Sequence, residues 1–166
     1  MMKKRWISLL VENEVGVLAR ISGLFSGKSY NLNSLTVGPT EDHTISRMTS
    51  SLTGDDRTFE QIKKQLNRSI EVIKVIDFTN IAAHMKEVMY LKLTNCTEQD
   101  LVEIKYVTEV FGVTMVDYDR TAVLIESVQN ESKNNDLIRF FEKHFVNRFE
   151  IVRGGSVAIE SMRSCQ

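Results

Sequence analysis

The spacing of apolar residues along this chain alternates between the two-residue period of a strand and the 3.6-residue period of a helix, and the same order of changes occurs twice. Trp6–Val11 is a mostly apolar run of strand length that stops at Glu12-Asn13-Glu14. From Gly16, apolar residues at 17, 18, 21, 24 and 25 keep the spacing of a helix with one buried face, which predicts a helix over roughly 16–28. Tyr30 to Val37 alternates and breaks at Gly38-Pro39; Thr44 to Leu52 resumes a strand, so 38–43 reads as a hairpin connection. Asp55 or Asp56 can cap a second helix with apolar positions Phe59, Ile62 and Leu66, and Val72–Ile76 closes the unit as a strand.

Periodicity then weakens, which divides the chain into a first domain over 1–78, a linker over 79–86 and a second domain over 87–166. In the second domain, Val88–Leu93 reads as a strand, Thr97–Phe111 as a helix, Val113–Tyr118 and Thr121–Val128 as paired strands, Ser132–Phe145 as a helix and Phe149–Val152 as the last clear strand. The order βαββαβ thus recurs. Each half is expected to place two helices on one face of a four-stranded antiparallel sheet, an α+β architecture of two tandem ferredoxin-like sandwiches. Such small units leave a sheet face and an edge strand open and bury little surface alone, so oligomerisation is expected.

With 42% hydrophobic and 26% charged residues, the 166-residue chain can bury a core. A net charge of -1 offers no broad basic field to nucleic acid or anionic lipid. Met-Met-Lys-Lys-Arg at the start resembles a signal-peptide n-region, but the apolar stretch behind it is only Trp6–Val11, so neither a secretory nor a membrane-spanning segment is expected. Cys96 and Cys165 are isolated thiols, which suits a reducing cytosol and a cytoplasmic protein.

Catalytic chemistry is not indicated. His43, His84 and His144 have no second ligand at metal spacing, and no nucleophile elbow, phosphate loop or His-Glu-x-x-His pair occurs. Asp55-Asp56 and the Asp117/Asp119 pair lie at turns or caps, where Asp serves local hydrogen bonding. No catalytic residue, metal ligand or cofactor is therefore assigned to this chain.

The connection after the first strand is more informative. Asn13-Glu14-Val15-Gly16-Val17-Leu18 leads from strand end to helix start, where the amides of roughly Gly16 to Leu18 are expected to point outward at the positive end of the helix dipole. Gly16 permits close approach to the backbone, and Asn13 carries both an acceptor and a donor. That combination suits a free amino acid. Taken alone, the six residues suit an ordinary cap and loop glycine better, since caps and turns are commoner than ligand sites.

The wider pattern resolves this. Val11-Glu-Asn-Glu-Val-Gly-Val-Leu18, Arg20-Ile21, Leu24-Phe25-Ser26, Tyr30-Asn31-Leu32, Ser34-Leu35-Thr36-Val37-Gly38-Pro39-Thr40 and Ile45-Ser46-Arg47-Met48-Thr49 together resemble the small regulatory subunit of acetolactate synthase (acetohydroxyacid synthase), whose N-terminal half is an ACT domain. The resemblance is dense over residues 5–77 and less distinctive beyond. It implies a homodimer with two ACT domains side by side and a branched-chain amino acid, usually valine, bound between the 13–18 loop of one subunit and the Asn31 strand of the other. By motif position Asn13, Gly16, Val17, Leu18, Asn31 and Leu32 match the family's effector positions, with Ala19 at a spot where a small residue is usual. Val15, Val17 and Leu32 are the expected neighbours of the effector side chain. The resemblance further implies a large catalytic subunit that carries thiamine diphosphate, FAD and magnesium, which this chain activates and subjects to feedback inhibition in branched-chain amino-acid, including isoleucine, biosynthesis. The alternative is a stand-alone ACT-type amino-acid-binding regulator of another metabolic enzyme. A nucleic-acid-binding regulator would need a basic helix-turn-helix or aromatic RNA-binding strand, and neither is read here.

Overall fold

A computed structural model describes residues 2–26 and 31–162, with Ser26 and Asn31 in their backbone only. Positions 27 and 28 of the expected first helix, Tyr30 and Cys165 lie outside the described residues. The chain divides into two units, Met1–His84 with Gly155–Gln166, and Met85–Gly154. The second unit thus ends earlier than the 87–166 expected, because the chain from Gly155 returns to the first.

In the first unit β1 (Lys3–Glu12) is followed by α1 (Val17–Ser26), β2 (Asn31–Pro39), β3 (Ile45–Gly54), α2 (Asp56–Leu66) and β4 (Val72–Asp77). The strands pair antiparallel in the order β2-β3-β1-β4. Alternation sends Ile7, Leu9 and Val11 of β1 and Met48 and Leu52 of β3 into the core. There they meet Val17, Ile21 and Phe25 of α1 and Phe59, Ile62 and Leu66 of α2. Each such burial stabilises the unit by about 1.5–3 kcal/mol. Leu18 leaves the buried stripe, because one residue is a step of about 100° round a helix, and stays 46% exposed. Asp55 is the cap of α2, its carboxylate accepting from the Thr58 amide at 2.7 Å.

Two expectations fail here. Gly38-Pro39 does not end β2, which continues through Pro39; this is an edge strand, where proline costs little. Nor is the sheet face turned from the helices bare. Ser8, Thr49 and Ser51 on that face are buried, and Gly155 and Ser156 lie on it against Ser34 and Thr36. Small hydroxyl side chains there let a second segment approach closely.

The second sheet begins inside the expected linker. β5 (Ala83–Leu93) alternates in burial along most of its length, ending in Met89, Leu91 and Leu93 fully buried. It is followed by α3 (Glu98–Phe111), β6 (Thr114–Tyr118), β7 (Val123–Gln129), α4 (Glu131–His144) and β8 (Phe149–Arg153). The order is β6-β7-β5-β8, and a short strand not anticipated, β9 (Val157–Glu160), also pairs with β5. Four residues after a Gly-Gly pair carry too little periodicity to be read as a strand. Thr97 and Asp100 close a capping box at α3, and Gly112 ends that helix with φ +64°. Buried Glu87 accepts from Arg153 Nε (2.8 Å) and Asn134 Nδ2 (2.9 Å), while Asn134 Oδ1 accepts from Ser127 (2.6 Å). This network ties the start of α4 to β5, β7 and β8.

Candidate functional site

Glu12, the last residue of β1, donates its amide to the Glu71 carbonyl, and the next amide, from Asn13, goes to the Thr44 carbonyl. The chain leaving β1 is thereby held from both sides. The Asn13 side chain continues the tie: Nδ2 donates to the His43 carbonyl at 2.9 Å and Oδ1 accepts from Ser46 Oγ at 2.9 Å. The 40–44 turn that presents His43 is ordered by Asp42, which accepts from the Thr44 hydroxyl (2.7 Å) and amide (2.9 Å). Those bonds, the hydroxyl's first, hold the Asp42 carboxyl below its ordinary pKa.

Val15 and Gly16 then form the turn into α1, and Gly16 takes φ +88°, the left-handed region that favours glycine. The outward amides expected at this helix start are only partly available, since Val17 N–H is spent on the Glu14 carbonyl at 3.3 Å. The side chains divide. Val17 is buried in the core, so its side chain, expected from sequence beside the effector, is not presented at the loop, whereas Val15 is fully exposed and Leu18 about half exposed. Arg20, from the first turn of α1, lies over the loop: a Cβ on Gly16 would be 3.4 Å from its guanidinium, and its Nε is 2.6 Å from Glu71. Ser46, Arg20 and Glu71 were not singled out from sequence as parts of this loop. Ser46 and Arg20 do belong to the motifs quoted above, and strand alternation puts Ser46 on the helix side of β3.

Leu32 and Asn31 stand elsewhere. Asn31 opens β2 opposite Thr53, which pairs in turn with Lys4, and Leu32 is opposite Leu52 and packs partly against the core. Asn13 is nine residues further along β1 than Lys4, a separation of about 30 Å at 3.3 Å per residue. One copy of the chain therefore keeps the two groups of residues at opposite ends of one sheet. The side chain of Asn31 lies outside the described part of the structure.

Elsewhere, the acidic pairs do local work. Asp119 Oδ1 accepts from the amides of Thr121 and Ala122 at 2.6 and 2.7 Å, which lowers its pKa, the Thr121 bond foremost. Asp56 pairs with Arg5. A wide concavity of about 390 Å3 runs past Lys92, Asp117, Tyr118 and Leu124 of the second unit and draws no residue from the loop at Asn13. His144 stacks on Phe140 with ring centroids 4.3 Å apart, and His84 lies in β5. Among the described residues no three His, Cys, Asp or Glu side chains gather as metal ligands would. No helix among them is long and apolar enough to cross a membrane.

Comparison with known proteins finds a match for each half of the chain. Residues 7–74 match the AHAS small subunit-like ACT domain, and residues 86–162 match the family described as small subunit of acetolactate synthase. The acetolactate synthase small subunit of Buchnera aphidicola (subsp. Schizaphis graminum) is 35% identical over 94% of this chain and 98% of its own length. The probable small subunit of Archaeoglobus fulgidus is 38% identical over 94% and 96%. The crystal structure of the acetolactate synthase small subunit from Thermotoga maritima superposes with a TM-score of 0.84 at 30% identity, covering 98% of this chain and 99% of that one. The chain belongs to the family of acetolactate synthase small subunits.

Proposed function

We propose that this non-catalytic regulatory subunit senses valine, or another branched-chain amino acid, at a site completed by two copies of the chain, and so imposes feedback inhibition on the catalytic large subunit that it also activates. One observation carries the shared site: β2 is an edge strand, and Asn31 and Asn13 lie at opposite ends of its sheet. Two β2 strands meeting antiparallel about a two-fold axis put Asn31 and Leu32 of one copy near the Asn13–Leu18 loop of the other.

In such a site Asn13, Gly16, Leu18 and Asn31 hold the zwitterion, Val17 contributes backbone, and exposed Val15 with Leu32 meets the aliphatic side chain. One methylene in an apolar contact is worth only about 1–3 kcal/mol, so valine, leucine and isoleucine are poorly separated. Coupling of about 1–3 kcal/mol between effector site and catalytic partner suffices for inhibition without chemistry on this chain. Thiamine diphosphate, FAD and magnesium belong, on this reading, to the large subunit, and the complex is cytoplasmic.

Mixing tests the shared site. Gly16→Asp and Asn31→Ala homodimers should each fail to bind valine by calorimetry. After co-refolding at equal amounts, half the dimers are mixed and each has one intact site, so about a quarter of the wild-type sites should return. No recovery would show that one copy holds the whole site.

A further inference from the structure

We propose that Gly155 and Ser156 are positioning residues for β2 and thereby for the effector half-site at its start, an inference that rests on the effector reading above. The Thr36 hydroxyl donates to the Ser156 carbonyl at 3.0 Å, and Ser156 is buried. Beside it, a Cβ on Gly155 would lie 2.9 Å from Thr36 Cγ2, 3.2 Å from Ser34 Cβ and 3.4 Å from the Leu35 amide nitrogen. Gly155 does not have positive φ, so what requires glycine there is this closeness and not backbone conformation. Among the described residues, edge strand β2 pairs only with β3. Its register shifts between Leu32 and Ser34, directly before the stretch that the Gly155–Ser156 segment touches. Leu32 and Leu35 meanwhile pack on the core from the other face. The strand is thus clamped between core and strap just after its irregular residue, and close-packed contacts pass small displacements on instead of absorbing them. Pushing Ser34 and Thr36 away from the strap therefore moves Asn31 and Leu32.

The test is a pair of substitutions in the full chain, with valine affinity read by calorimetry and activation read with the catalytic subunit. Gly155→Ala should weaken valine binding about tenfold while activation stays at the wild-type level. Adding Thr36→Ser removes the methyl that the new Cβ meets but keeps the hydroxyl, and should restore most of the affinity. Wild-type affinity in Gly155→Ala, or a loss that Thr36→Ser does not relieve, overturns the proposal. Should Gly155→Ala not fold, Thr36→Val, which keeps the shape and deletes the hydroxyl's bond to Ser156 together with its longer one (3.3 Å) to the Thr49 carbonyl, carries the same test: a severalfold loss of affinity supports the clamp and an unchanged affinity overturns it. If the unmodified chain binds no branched-chain amino acid, the effector reading itself fails and takes this one with it.

Discussion

Ser46 reaches across the end of the first sheet to Asn13, its hydroxyl donating to Oδ1 at 2.9 Å. Because Nδ2 is committed to the His43 carbonyl, the amide is held in one orientation and retains one lone pair and one N–H for a ligand. Ser46→Ala should release that orientation. The expected result is valine affinity lowered about fivefold, with a stability loss near 1 kcal/mol by chemical denaturation. Unchanged affinity would show that Asn13 needs no fixing.

Gly16→Asp should abolish valine inhibition while activation of the catalytic subunit persists. The control is Gly16→Ala, which shares the cost of placing an L residue at φ +88°, about 1–2 kcal/mol, without the charge. If the alanine variant loses inhibition as fully as the aspartate, strain at the turn and not repulsion of a carboxylate explains the loss.

In the second unit Asp100 titrates at about 2, held down first by its hydrogen bonds from Arg148 and then by the Thr97 amide. A depressed carboxylate stabilises the folded state above its unfolded pKa near 3.8 and loses that contribution as pH falls toward 2. The pair is partly solvated, so the contribution is on the order of 1 kcal/mol. Acid unfolding followed by circular dichroism should be shallower between pH 4 and 2 in Asp100→Asn than in the wild type.

Glu87→Ala should cost about 3–5 kcal/mol, since it leaves Arg153 and Asn134 without the oxygen both donate to. Glu87→Gln, which preserves shape and one acceptor, should cost less. Urea midpoints of the two variants decide it, and equal midpoints would mean that the charge both variants remove, rather than the shape and acceptor that only glutamine keeps, holds α4 there.

Much of this protein was legible without coordinates. The βαββαβ order, the buried face at Phe59, Ile62 and Leu66, and a cap at Asp55 or Asp56 follow from local periodicity and short-range hydrogen bonding, which a linear sequence records directly. Family motifs marked the loop at Asn13. Tertiary structure alone decided that Val17 faces the core while Val15 faces solvent, that Ser46 orients Asn13, and that Gly155 closes on Thr36 from a distance of more than a hundred residues. It also set Asn31 at the far end of the sheet from the loop, for register and strand order are properties of pairing between distant segments. Periodicity along one segment is silent about which other segment lies beside it.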